Sequence, residues 1–219
     1  GVDIQRRGAR SGKGPPAAPN GTAAEQDRLD VRQWPVTEME NPADLVPWRN
    51  RSGHLLVGLT PDGHIDLDAI ENALKESAGR IGLVAVSGAS NVTGFISPIH
   101  EVAELAHRHG ALVSVDAAQL APHRRIDIRP AGDPGHLDFV SFSGHKMYAP
   151  YGAGVLVAPR DFFAGAPEVI GGGAVMLVTW AGPVWAAPPD QDEAGSPHVI
   201  GRVVSGVATA GPPSPRHGG

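Results

Sequence analysis

Cysteine is absent from the 219 residues. Disulfides, zinc–thiolate sites, a thiolate nucleophile and a persulfide carrier are therefore excluded on this chain's own residues. Long apolar runs are missing as well. No stretch approaches the roughly 18–20 residues of a membrane span, and the N-terminus has no apolar segment of the secretory kind. A soluble, cytoplasmic protein with no membrane partner is the expectation. There is no excess of positive charge either: 18 Lys and Arg stand against 23 Asp and Glu, a net charge of −5. Nucleic acid is offered no electrostatic footprint. What is present is a 41% hydrophobic content over a length that suits one sizeable core.

The ends differ from the middle. Residues 1–33 are rich in Gly, Pro, Ala and charge without an apolar period, and read as a flexible low-complexity arm. Residues 207–219 read as a flexible Pro/Gly tail, leaving 34–206 as the folded domain. GARSGKG in the arm approaches a phosphate-loop pattern, but its glycine spacing is one residue short. Pro15 and Pro16 also stand where the helix should begin, so the match is discarded.

Within 34–206 the signal alternates. DLDAIENALKESAG predicts a helix, with Asp66 as its cap, Leu67, Ile70 and Leu74 on one face, a Glu71/Lys75 pair and Gly79 as its stop. IGLVAVS, 81–87, predicts a buried strand followed by the loop GASNVTG. SPIHEVAELAHRHG predicts a second helix capped by Ser97, with Pro98 at its first position and Ile99, Val102, Ala103 and Ala106 on one face. ALVSVDAAQ and LDFVSFSGHK predict two further buried strands. Strands alternating with helices imply an α/β fold of parallel crossover units, a mostly parallel sheet flanked by helices. Ligands in such sheets bind outside the carboxyl ends of the strands. Asn91, Asp116 and Lys146 all fall at or just beyond such ends.

Each of these residues has two readings. Lys146 is a loop lysine paired with a surface acid, or an amine held for Schiff-base chemistry. Asp116 caps the turn after its strand, or meets a cation such as a protonated pyridine nitrogen, because an unpaired carboxylate is costly to bury. Gln119, one helical turn on, donates to a ring oxygen or to a backbone carbonyl. Ser143, Gly144 and His145 supply a hydroxyl, an open amide and an imidazole, which fit a phosphate or an ordinary strand-to-loop turn. His107 and His109 invite a metal reading, but residues two apart on a helix do not share a face, and no thiolate assists.

VDAAQ followed by SGHKMYAPYGAGVLVA, at the ends of consecutive strands, resembles the class V aminotransferase family of pyridoxal-phosphate (PLP) enzymes, in particular its cysteine desulfurase and selenocysteine lyase branch. The similarity runs collinearly from about Thr37 to Val204, through TEMENPADLVPW, VSGASNVTGFISPIHEVAELAHRHG, GGGAV and EAGSPHVIG. It implies the large domain of a fold type I PLP-dependent transferase, a pyridoxal 5'-phosphate cofactor and a small amino-acid substrate. By position, it implies that Lys146 forms the Schiff base with the cofactor and then moves the substrate's α proton. Asp116 is implied to hold the pyridine nitrogen protonated, and Gln119 with Asn91 to contact the ring's phenolic oxygen. Ser143 and His145 are implied to bind the phosphate, and Ser196 to reach the phosphate of a partner subunit, hence a homodimer.

The pattern also departs from the family. Two histidines usually follow the glutamate of TEMENP, the first stacking on the cofactor ring; Asn41 and Pro42 stand there instead, and an amide stacks less well. The resemblance covers only the centre of the fold, without the earlier threonine-containing phosphate loop or the later small domain. The large domain is therefore expected to be incomplete, with uncovered apolar faces that favour aggregation or pairing. With no cysteine, the implied enzyme works without a persulfide step of its own. The alternative is a truncated, catalytically inactive relative that retains at most cofactor binding or an interaction role.

Overall fold

The computed structural model describes residues 34–37, 54–149, 153–164, 175–193 and 198–210. Asn41 and Ser196 lie outside these described residues, as do the 1–33 arm and most of the expected tail.

Six strands form the main sheet: β1 (Trp34–Thr37), β2 (His54–Val57), β3 (Leu83–Ser87), β4 (Leu112–Asp116), β5 (Phe139–Ser143) and β6 (Gly154–Val157). Their order is β2-β1-β3-β4-β5-β6. Every pairing is parallel except β5 with β6, which is antiparallel. β1, β2 and β6 were not expected from the sequence, and β2 adds an edge on the side away from the lysine motif. A separate antiparallel hairpin comprises β7 (Val175–Thr179) and β8 (Gly182–Trp185).

Two helices cover the sheet as their spacing predicts. α1 (Leu67–Ser77) begins where Asp66 accepts the Ala69 amide at 2.9 Å, and buries Ile70 and Leu74. Such a cap is worth about 1 kcal/mol. Ala78, in the left-handed region, and Gly79, also with positive φ, end the helix; Glu71 and Lys75 pair at 3.2 Å on its outer face. α2 (Ile99–Arg108) buries Ile99, Val102, Ala103 and Ala106, the face expected. Its cap is not the one expected. Pro98 occupies the cap position without a side-chain bond, and the buried Ser97 hydroxyl donates instead to the Ser87 carbonyl at the end of β3. Burial explains the difference: a buried hydroxyl takes the acceptor within reach, here a strand-end carbonyl.

The core lies between these helices and β3–β4–β5, around Val84, Val86, Val113, Val115, Leu137 and Val140. No helix spans the link between β4 and β5. Prolines at 122, 130 and 134 break any helical run there, and α2 holds the link through side chains. His100 donates to the Gly135 carbonyl at 2.7 Å. The His107 ring bridges the Pro134 carbonyl at 2.7 Å and the Asp138 carboxylate at 2.8 Å, and Asp138 also accepts the Val113 amide of β4 at 2.9 Å. His107 thus fastens the start of β5 to its neighbours. The last helix, α3 (Val199–Ala210), runs four residues into the range expected as tail. No helix among the described residues is long and apolar enough to cross a membrane.

Candidate functional site

Parallel pairing brings the strand ends together. Ser87 lies beside Asp116, and Asp116 beside Ser141, so β3, β4 and β5 finish on one edge. β5 ends at Ser143 and the chain turns at once into a 3-10 segment, Gly144–Met147, which carries Lys146. The turn is tied at both ends. The Gly144 amide donates to Ala153 at 2.8 Å, its carbonyl accepts from Ala149 at 3.0 Å, and Tyr148 closes it with positive φ.

Outside this edge is a cavity of about 630 Å³ lined by Asp116, Ser143 and Lys146 together with Ser141, Phe163 and Asp192. That volume lies in the range of small-molecule sites, about 300–1,000 Å³. One wall comes from two 3-10 segments, Arg160–Phe163 and Asp190–Asp192, joined by the Gln191 side chain donating to the Phe163 carbonyl. Lys146 is half-buried, a setting in which an amine is constrained yet reachable. Asp116 is also half-buried, and its Oδ1 accepts the Ala118 amide at 2.8 Å. Of its two sequence readings, the turn cap is the one this bond shows. It caps its turn and still faces the cavity, because a carboxylate has about four acceptor positions.

The remaining expected residues are less concentrated. Asn91 is exposed in the loop after β3, Gln119 is half-buried in the turn after Asp116, and His145 is exposed; none of the three lines the cavity. Sequence reasoning missed Ser141, although its signal was present: Ser141 and Ser143 alternate on β5 and share a face. It also missed Asp192 and Glu193, which enter from an element distant in sequence. Glu193 is paired with Arg202 of α3. Asp133 lies apart from this site, in the β4–β5 link. The Gly135 amide, and next the Arg129 guanidinium, hold its carboxyl below the ordinary range.

Three comparisons bear on this geometry. A family model described as aminotransferase class-V matches residues 23–210. The probable cysteine desulfurase 2 of Mycobacterium leprae is 40% identical over 181 residues, covering 80% of this chain and 41% of that protein. The cysteine desulfurase of Dickeya dadantii is 38% identical over 180 residues, covering 79% and 42% respectively. Among solved structures, the cysteine desulfurase of Escherichia coli superposes with a TM-score of 0.73 at 30% identity, covering 84% of this chain and 47% of that one. The enzyme of Thermococcus onnurineus NA1 gives 0.69 at 31%, covering 84% and 48%. The chain spans about two-fifths of the length of the curated relatives it matches.

The family is PLP-dependent, and the donor set fits that group: an amine, a carboxylate and a hydroxyl on one cavity of sufficient size. By family match, identity and fold together, this chain belongs to the class V aminotransferases and has the α/β large-domain fold of the cysteine desulfurases.

Proposed function

We propose that the chain binds pyridoxal 5'-phosphate at the cavity beyond β4 and β5 and acts on a small amino acid, with Lys146 as both attachment point and proton carrier. The observation that carries this reading is the convergence of Asp116, Ser143 and Lys146, from the ends of β4 and β5 and the turn that follows β5, on one cavity. When bound, the cofactor supplies an electron sink for the pair left at the substrate's Cα. The rest falls to the chain. Asp116, steadied by the Ala118 amide, accepts a hydrogen bond from the pyridine N–H and keeps that nitrogen protonated. Lys146 Nζ removes the α proton and returns it. Ser143 serves the phosphate, and the roles of His145 toward the phosphate, of Gln119 and Asn91 toward the phenolic oxygen and of Asn41 toward the ring face rest on the family resemblance, since the first three do not line the cavity. Ser196 reaches the phosphate of a partner copy, which makes the working unit a homodimer. None of the 219 residues is cysteine, so the reaction proposed is one without a persulfide on this chain.

The test is the visible absorption of the purified chain with added PLP, before and after borohydride, with Lys146→Ala as the control. A band present in the wild type, fixed by borohydride and missing from the alanine variant, is expected. An identical spectrum in both chains would overturn the assignment of Lys146. A second reading rests on Asn41 and Pro42 standing where the family pattern has histidines: a relative that binds the cofactor without turnover. It is distinguished by a positive band together with no reaction across a panel of small amino acids.

A further inference from the structure

The lysine turn rests on α3, and the contact is unusually close. Gly144, which opens the turn, is buried. A Cβ at Gly144 would stand 2.7 Å from Ser205 Oγ, 3.1 Å from the Ala153 carbonyl oxygen and 3.2 Å from Ala153 Cβ. One helical turn earlier on the same face, a Cβ at Gly201 would stand 3.0 Å from Ala153 Cβ. α3 therefore meets the lysine turn through small residues: Gly201, which is flanked by the His198 ring as well as Ala153, and Ser205, which puts only a hydroxymethyl against Gly144.

Stability does not account for Ser205. It is 5% exposed, and its hydroxyl has no hydrogen-bond partner among the described residues. An unpaired buried hydroxyl is destabilising, and alanine is the better helix former. Ser205 is instead the side chain that stands between α3 and Gly144. From Gly144 the chain reaches Lys146 in two residues, within a 3-10 segment tied to Ala153 and Ala149, so a displacement at Gly144 is passed to the lysine with little slack.

We propose that Ser205 is a positioning residue for Lys146: the size of the side chain at 205 fixes how deeply the lysine turn seats on α3, and so where the amine stands in the cavity. The inference rests on Lys146 being the cofactor amine, but it can be tested without that assumption.

The experiment follows Lys146 by mass spectrometry in the full chain, with the exposed Lys75 as internal reference. Reductive methylation by formaldehyde and cyanoborohydride is measured across pH, and borohydride trapping of PLP is measured separately. Ser205→Ala, which removes the oxygen nearest Gly144, is expected to melt no lower than wild type and yet to shift the pH profile of Lys146 methylation relative to Lys75 and to change PLP trapping by about twofold or more. Ser205→Val is expected to displace the pH profile of Lys146 methylation relative to Lys75. It should also lower PLP trapping by about tenfold or more, in keeping with the steep cost of small misplacements. Ser205→Thr, with one added methyl, is expected to fall between them and replaces Val if that variant does not fold. Wild-type methylation profiles in the folded variants would overturn the proposal, as would losses that track melting temperature alone. A wild-type chain that traps no PLP, while its methylation profile still shifts with residue 205, would instead overturn the cofactor reading and leave the positioning role standing.

Discussion

β4 and β7 are both five-residue strands built mainly of aliphatic side chains, LVSVD and VMLVT, yet the fold treats them oppositely. In β4, Val113 and Val115 are fully buried, with a strand on each side and the apolar face of α2 above. In β7, Met176, Leu177 and Val178 are 73%, 59% and 74% exposed, and β8 is the one described partner. α3 repeats the contrast, presenting Val199, Ile200, Val203 and Val207 to solvent. An apolar strand or helix states a need for cover, and the covering element must come from elsewhere in sequence or from another chain. The half of the molecule built on β3, β4 and β5 supplies its own cover. The half built on β7, β8 and α3 does not among the described residues, and patches of this kind mark interaction surfaces.

Substitutions can break or sharpen that contrast. The largest effect is expected at the covered side: Leu74→Ala, at a side chain 1% exposed, should lower stability by about 2–5 kcal/mol in a denaturant titration. Ser97→Ala, which removes the donor to the Ser87 carbonyl, should cost about 1 kcal/mol by the same method. Leu177→Ala, on the uncovered hairpin, should change stability by no more than about 0.5 kcal/mol. If Leu177→Ala cost as much as Leu74→Ala, and did so in a concentration-dependent way, the hairpin would be covered by a second copy in solution.

The smallest effect concerns acid. Asp133 titrates below the ordinary carboxylate range because its charged form accepts from Gly135 and Arg129. A depressed folded-state pKa contributes stability above the unfolded value and loses it as pH falls through the folded one. The β4–β5 link should therefore loosen only below the normal range of a free aspartate. Hydrogen exchange at the Gly135 amide should show this, and Asp133→Asn should remove the pH dependence.

Much of the covered half was legible in the sequence because local signals agreed with the tertiary outcome. The helical spacing of Ile70 and Leu74, the Asp66 cap and the apolar runs at β3, β4 and β5 each point to one structure. Ser97 was misread because a cap motif is a local signal, whereas its hydroxyl answered a carbonyl ten residues away. β2 was missed because HLLV is too short to declare itself without its partner β1. At the site, Asp116, Ser143 and Lys146 were legible as strand-end polar residues in a parallel sheet. Asp192 and Phe163 were not, since they reach the cavity through the contact between two 3-10 segments, which no sequence period encodes. The exposure of the hairpin could not be read either, because burial belongs to pairs of surfaces.

The central claim is that one lysine is set apart by its surroundings, and this chain permits a direct test because it holds three lysines, Lys13, Lys75 and Lys146. The measurement is a peptide map of the folded chain after incubation with a stoichiometric amount of PLP and reduction with borohydride. The account predicts the label on the Lys146 peptide, with Lys13 and Lys75 unmodified and the selectivity lost on prior unfolding. A label spread over the three lysines in the folded chain, as in the unfolded one, would contradict it.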